Sequence, residues 1–411
     1  MKALVLCGGM SQLNLVENLK RRGVDVVLAD VNPLAPAVKY ADYFFPVSTL
    51  DVDGIRKLAI EEKVDYILSV CADQMLLVAA QISEELGLPC YIDYQTAMNV
   101  SNKEYMKKIF INNGIPTSRH IVRSKINVSD VEGMQWPLIV KPVDCYSSKG
   151  VKKVCNEIEL TNAFNDAIRL SRTNTAVIEE YVTGDELSVD LYIENGEAKI
   201  LCIRILDKIP EGNGFIICRG RYPVFLSKNL QVEICNIGQR IADSFGLKNT
   251  PMLIQMKADG DKLSVIEFCA RTGGGIKYRL IPHVAHFDVV DAVVELTFGR
   301  KPHYDNWKLN KYIIDEFIYC SQGEFDHLEG FAELQKEGII EHWVQFKEKG
   351  HIFSNISSSG DRVAYFSIES ATLDELEQKY KMASERVKAF STMGEDLIRH
   401  DIMQYKKEWY S

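Results

Sequence analysis

The sequence has no CxxC pair and no regular cysteine spacing; its ten cysteines are scattered along 411 residues. No disulfide framework or paired-cysteine zinc site follows from such a pattern. Nor is there an excess of positive charge. Lys and Arg number 48 against 57 Asp and Glu, giving a formal net charge of −9. That balance argues against a nucleic-acid binder, because phosphate backbones select basic faces. Long apolar runs are missing too: none reaches the roughly 18 residues of a membrane span. Met1–Cys7 is a short strand-like run that meets Gly8 and Gly9, with no leader-like apolar core, so the thiols are expected to be reduced and the protein cytoplasmic. There is no GxxxxGK[ST], which disfavours a Walker-type phosphate loop, and no internal repeat or low-complexity linker.

What is present is ordinary globular composition, 46% hydrophobic and 26% charged. A chain this long is expected to divide into two or three domains. Over residues 1–100 continuous apolar strands ("KALVLCG", "VDVVLAD", "DYFFPV", "VDYILSV") alternate with amphipathic helices ("SQLNLVENLKRRG", "DVDGIRKLAIEEK", "DQMLLVAAQISEELG"). That rhythm predicts a doubly wound parallel sheet, whose ligands lie at the C-terminal ends of its strands. "CGGMSQLN" followed by Asp30 invites a dinucleotide reading. The turn lacks the full GxGxxG spacing, however, and a glycine turn that starts a helix is favoured.

From residue 101 the pattern changes to α+β. "SNKEYMKKIFINNGIP" reads as a capped helix, and "WPLIVKPVDCYSSKGVKKV" as strand, polar loop, strand. Asn195-Gly196 marks a hairpin, and "LQVEICNIGQRIADSFG" a helix. The strands "PMLIQMKADG" and "DKLSVIEFCA" turn at Asp259-Gly260-Asp261. Residues 301–411 add strands ("YIIDEFIYC", "RVAYFSIES") and the helix "LDELEQKYKMASERVKAF". The expected fold is thus α/β and α+β multidomain, divided 1–100, 101–300 and 301–411.

Four clusters could carry chemistry. Lys141 lies on a strand before a loop of small polar residues that includes Ser147 and Ser148, a setting in which an ammonium group and loop amides can meet phosphate. Glu179, Glu180 and Glu186 surround a Gly-Asp turn and suit uncharged hydrogen-bonding groups, although taken alone they read better as solvated strand-end carboxylates. Gln255 and Glu267 lie on consecutive hairpin strands, where their oxygens can line a divalent-metal site, with Arg271 beside them to neutralise phosphoryl charge. Lys103 lies at the start of the helix "NKEYMKKIF", alone one lysine among many. His283 and His286 form an H-x-x-H pair, for which a capping or solvated role is expected over metal binding.

The order of these pieces resembles the ATP-grasp superfamily, over about residues 101–299. The flanking segments, with "SSGDRVAYF" in the last, are similar to those of its amino-acid-ligase and carbamoyl-phosphate-synthase-like members. The resemblance implies a two-lobed ATP-clamping domain between an N-terminal α/β domain and a C-terminal α+β cap. It places ATP phosphates on Lys103 and Lys141 under the Ser147–Ser148 loop. Adenine would lie at Glu179, the Glu180 carbonyl and the Val182 amide, and ribose at Glu186. Mg²⁺, or Mn²⁺ in its stead, would bind Gln255 and Glu267, and Lys141 and Arg271 would be catalytic. Arg219, Arg221, Lys277 and Arg279 are candidate substrate contacts.

The implied activity is ATP-dependent joining of a small-molecule carboxylate to an amine (or thiol) through an acyl phosphate. The expected partners are those small molecules alone, with neither nucleic acid nor membrane, and the resemblance allows a homodimer. One departure stands out. The family carries a carboxylate where this chain has Gln255, and E-x-N where it has Glu267 and Cys269. A thiol is a poor Mg²⁺ ligand and a neutral amide removes charge. Two alternatives follow: a carbamoyl-phosphate-synthase-like enzyme that phosphorylates bicarbonate, which shares the fold, and a protein that binds ATP without catalysis, which Gln255 and Cys269 support; a nicotinamide oxidoreductase using the first domain is the reading least supported.

Overall fold

In the computed structural model the structure describes residues 1–145, 150–209 and 215–410. The N-terminal strands Lys2–Leu6, Asp25–Ala29, Tyr43–Phe45 and Tyr66–Leu68 form a parallel sheet, ordered 43–45, 25–29, 2–6, 66–68. The first pair runs in register from Lys2 opposite Asp25 to Leu6 opposite Ala29. Helices Met10–Arg21, Val52–Glu61 and Asp73–Leu86 cover its faces, burying Leu15, Val16 and Leu19 of the first against the sheet. The continuous apolar strands are therefore buried on both sides, as their composition demands.

A second, antiparallel sheet is ordered His120–Arg123, Ala176–Glu180, Leu138–Pro142, Lys152–Val154, and the helix Glu157–Leu170 packs on it. The third sheet has eight strands and crosses the rest of the chain. Its order is Lys262–Cys269, Thr250–Asp259, Asp185–Glu194, Glu197–Lys208, Ile217–Tyr222, Tyr312–Ile318, Ala364–Ser370, His342–Gln345. The last three strands come from the C-terminal segment, so that segment extends the central sheet edge to edge through Arg219 opposite Glu316. Beneath the outer hairpin, Phe110, Phe245 and Phe268 pack ring to ring, with centroids 4.6 Å apart for Phe245 and Phe268.

The helix expected from Ser101 with a serine or asparagine cap is Lys103–Asn112, whose cap Asn102 accepts from the Tyr105 amide. A further helix, Tyr94–Ser101, capped by Asp93, precedes it. One helix end differs from the sequence expectation. The final helix ends at Arg386, and Lys388–Ser391 is a strand that pairs with Gly323–Glu329. Burial of Val387 and Ala389 in the C-terminal core overrides the helical pattern that "VKAF" continues.

Candidate functional site

A cavity of about 600 Å³ opens where the three sheets meet. Its floor is the outer half of the eight-stranded sheet. Because side chains alternate along a strand, Glu186 and Ser188, Arg204, Leu206 and Lys208, and Leu253, Gln255 and Lys257 all turn to this face. Register aligns them in rows: Glu267 lies opposite Gln255, Gln255 opposite Ser188, and Ser188 opposite Arg204. Cys269 lies opposite Leu253 and also lines the cavity, while the intervening Phe268 is turned into the core.

The opposite wall is the smaller antiparallel sheet, which contributes Lys141, Glu179 and Glu180, with Val182 just past the end of its Ala176–Glu180 strand. Glu179 is nearly fully buried. Lys107 lies 2.9 Å from it, Lys141 forms a second ion pair, and Ser118 donates a hydrogen bond at 2.9 Å. Burial opposes ionisation of Glu179, but the two ammonium groups outweigh it and hold the carboxyl well below the usual range. Burial also lowers the pKa of Lys107, against the pull of Glu179. The Val182 amide lines the cavity and donates to no described residue. Glu186 is held by Lys208 at 2.7 Å.

The cation-rich end combines three chain segments. Lys103, at the first turn of its helix, lies 3.4 Å from Glu267 and donates to the Cys145 carbonyl at 3.0 Å. Burial would lower its pKa, yet Glu267 and Asp73 reverse the shift upward. Arg271 follows the Lys262–Cys269 strand and grips Asp73 with both arms of its guanidinium, Nε to Oδ1 at 2.6 Å. Asp73 belongs to the first turn of Asp73–Leu86, so the N-terminal domain supplies a carboxylate to the cleft. Burial raises and Arg271 lowers the Asp73 pKa; the arginine prevails. Burial in this cleft pushes the Cys269 thiol far up, against the effect of Arg271, which leaves it protonated and unreactive near neutrality.

The structure thus brings together Lys103, Lys141, Glu179, Glu180, Val182, Glu186, Gln255, Glu267, Arg271 and Lys277 around one cavity. Ser147 and Ser148 lie outside the described residues. Arg219 and Arg221 do not line the cavity, contrary to the expectation for them. Arg219 is paired with Glu316 through Nε at 2.5 Å and also donates to Tyr380, while Arg221 is paired with Asp207 and donates to the Trp409 carbonyl. The alternation that turns Arg204 to the cavity turns these two toward the C-terminal aromatic cluster, where they stack near Trp409. Arg279 is exposed and does not line the cavity either, because the helical twist of Lys277–Ala285 carries it away from Lys277. His283 pairs with Glu369 and His286 stacks on Trp307 at 3.5 Å, so the H-x-x-H spacing does not converge on an ion. Asp30, the acid of the dinucleotide reading, accepts from the amide of Gly8 in the turn after the first strand and from that of Asn32 in its own turn.

Asp73, Lys107, Arg204 and Arg362 escaped the sequence reading. Lys107 stands one helical turn past Lys103, and Arg204 is a lone cation in the apolar strand "ILCIRIL", so both left a trace. Asp73 follows a strand end of the parallel sheet, where ligands gather. Arg362 lies in the quoted "SSGDRVAYF", but nothing in the sequence turns it toward the cleft.

Residues 134–279 match the ATP-grasp domain model, and residues 4–90 match the model of the PylC-like N-terminal domain. The chain is 22% identical over 320 residues to the carbamoyl phosphate synthase large chain of Clostridium botulinum, covering 75% of this chain and 29% of that one. It is 29% identical over 199 residues to the phosphoribosylamine–glycine ligase of Xylella fastidiosa, 46% of each protein. The chain therefore spans under a third of the length of the carbamoyl phosphate synthases it matches. Among solved structures, the L-amino acid ligase of Bacillus licheniformis superposes with a TM-score of 0.80 at 19% identity, over 95% of this chain and 98% of that one. The biotin carboxylase domain of the Hydrogenobacter thermophilus 2-oxoglutarate carboxylase, solved with MgADP and bicarbonate, gives 0.77 at 16%, over 99% of each. These likenesses establish the fold.

Proposed function

The chain carries an ATP-grasp domain behind a PylC-like N-terminal domain, and from that premise we propose an ADP-forming ligase that joins a small carboxylic acid to an amine through an acyl phosphate. The observation that carries this reading is the convergence of Lys103, Lys141, Glu267 and Arg271, from three separate chain segments, on one cavity large enough for a nucleotide and a small acid. ATP fits the polar groups present. Adenine would meet the Glu180 carbonyl and the open Val182 amide, and the ribose hydroxyls would meet Glu186. The triphosphate would run between Lys141 and Lys103. The residues also fit Mg²⁺, with a reduced protein share. Among the described residues no three His, Cys, Asp or Glu groups converge on an ion, but Glu267 and the Gln255 oxygen stand on paired positions. Mg²⁺ commonly uses one or two carboxylates plus phosphate oxygens. When bound it would neutralise charge on the transferring phosphoryl group.

The chain's own part is positioning and charge neutralisation. Arg271, released from Asp73, would hold the γ-phosphoryl oxygens while a carboxylate oxygen attacks phosphorus and the bond to ADP breaks. Lys103 would neutralise the charge that develops, and the cavity walls would shield the acyl phosphate from water. An amine then attacks the acyl carbon and phosphate leaves. Cys269 takes no covalent part, since its thiol stays protonated. Residues 1–100, 101–300 and 301–411 would serve as N-terminal wall, ATP clamp and closing segment. A cytoplasmic setting and a homodimer complete the proposal; no helix among the described residues is long and apolar enough to cross a membrane.

Trapping tests it. Mg²⁺-ATP, hydroxylamine and a panel of small acids, bicarbonate included, should yield ADP and a hydroxamate with at least one carboxylic acid. One second reading has an observation in its favour. Glu267 is the single carboxylate of the Gln255–Glu267–Cys269 set, and Lys103 already engages it, which suits a protein that binds ATP without turning it over. ATP binding with no ADP release across the panel, restored by Gln255→Glu with Cys269→Asn, would favour that reading.

A further inference from the structure

Beyond the cation-rich end, the cavity floor continues to Arg204, three strand spacings from Glu267, or about 14 Å between Cα atoms. Three cations meet there. Arg204 is buried, paired through Nη1 with Asp315 at 2.6 Å, and its Nε is buried without an acceptor. Lys277 is buried on Ser188 and Asp190. Room for both is made by glycines: a Cβ at Gly220 would lie 2.8 Å from the Arg204 Nη1, and one at Gly273 would lie 2.4 Å from the Lys277 Cδ. Arg362 reaches in from the C-terminal segment. Its Nε donates to Tyr319 at 3.0 Å, its Nη2 to the Ile217 carbonyl at 3.2 Å, and its Cζ lies 3.7 Å from the Phe317 ring centroid. Those contacts fix the guanidinium, yet it pairs with no carboxylate among the described residues, and its Nη1 lies near Gly275, 4.0 Å from where a Cβ would stand.

We propose that Arg362, with Arg204 and Lys277 behind it, forms a carboxylate-binding subsite for a group other than the one that is phosphorylated. Two of the three cations are already matched by Asp315 and Asp190, so the compartment holds one net positive charge. That charge suits a carboxylate better than a phosphate dianion, and a planar guanidinium with a free edge suits a carboxylate fork. Phe317, Ile217 and Leu206 give the same compartment an apolar side for the carbon chain of a small acid. The substrate class follows: one of the two molecules joined carries a carboxylate that survives the reaction. It is either the second carboxylate of a diacid donor or the carboxylate of an amino-acid acceptor. The inference rests on the ligase reading for the identity of the neighbouring compartment.

The test uses the full chain with Mg²⁺ and a non-hydrolysable ATP analogue, titrated calorimetrically with acetate, succinate, glutarate, glycine, glutamate and inorganic phosphate. A diacid or amino acid should bind more tightly than acetate. Arg362→Gln should weaken that binding by about tenfold or more, the scale of one charge-assisted hydrogen bond to a guanidinium, and leave affinity for the analogue within about twofold by the same reasoning. Arg362→Lys, which keeps the charge without the fork, should fall between them, and a melting curve identifies any variant that fails to fold. Binding of the diacids alone assigns the donor; binding of the amino acids alone assigns the acceptor. Failure of every organic acid to bind, binding that Arg362→Gln leaves unchanged, or a preference for phosphate overturns the subsite. If the ATP analogue does not bind the wild type, the ligase reading falls, and the acid titrations still decide the subsite.

Discussion

Glu179 keeps its negative charge because two ammonium groups stand on it from different elements, Lys107 from a helix and Lys141 from a strand. All three are buried, so none can exchange its partner for water. Lys107→Met should therefore cost about 3 kcal/mol of folding stability, the low end for breaking a buried pair because Lys141 remains; urea unfolding measures it. Arg271 has the opposite character. Its partner Asp73 is displaceable and about one-third exposed. Arg271→Ala should abolish ADP release while sparing most ATP affinity, and unchanged turnover would remove the role assigned to it. At this scale the sequence showed residue types well and pairings poorly. "VKP", "EEYV" and "EFCAR" marked Lys141, Glu179, Glu267 and Arg271. The partner of Arg271 lies 198 residues away, and no local pattern announces it.

Single elements show why arginines were harder to place than acids. Period-two alternation sends Arg204 to the cavity and leaves Arg219 and Arg221, on the next strand, for the C-terminal cluster. Which face of a strand is which depends on what packs behind it, and that was not legible in "ICRGRY" alone. The edge strand His342–Gln345 carries a pH effect of its own. His342 is partly buried, its Nε2 has no acceptor, and burial, helped by nearby Arg279, pushes its pKa down from 6.5 to about 4. Above pH 6.5 neither the folded nor the unfolded chain protonates it. Below that, the unfolded chain takes the proton first, so folding stability falls as pH drops from about 6.5 to about 4. His342→Phe should flatten the melting temperature over that window; an unaltered slope would show that other groups set it.

At the scale of the whole molecule, the α/β rhythm of the first hundred residues and the α+β texture after them were plain, because apolar period and turn residues are local signals. The continuity of the eight-stranded sheet across residue 300 was not, since strand order is set by pairing between segments far apart in sequence. That continuity brings Arg362 and Phe317 to a cavity whose other walls come from the N-terminal domain and the clamp. The measurement that tests the account most directly is calorimetric titration of Mg²⁺-ATP into the wild type and into Lys141→Ala. The account predicts one ATP per chain, with affinity reduced about tenfold or more by the loss of a buried charge-assisted contact. No binding, or binding indifferent to Lys141, would contradict it.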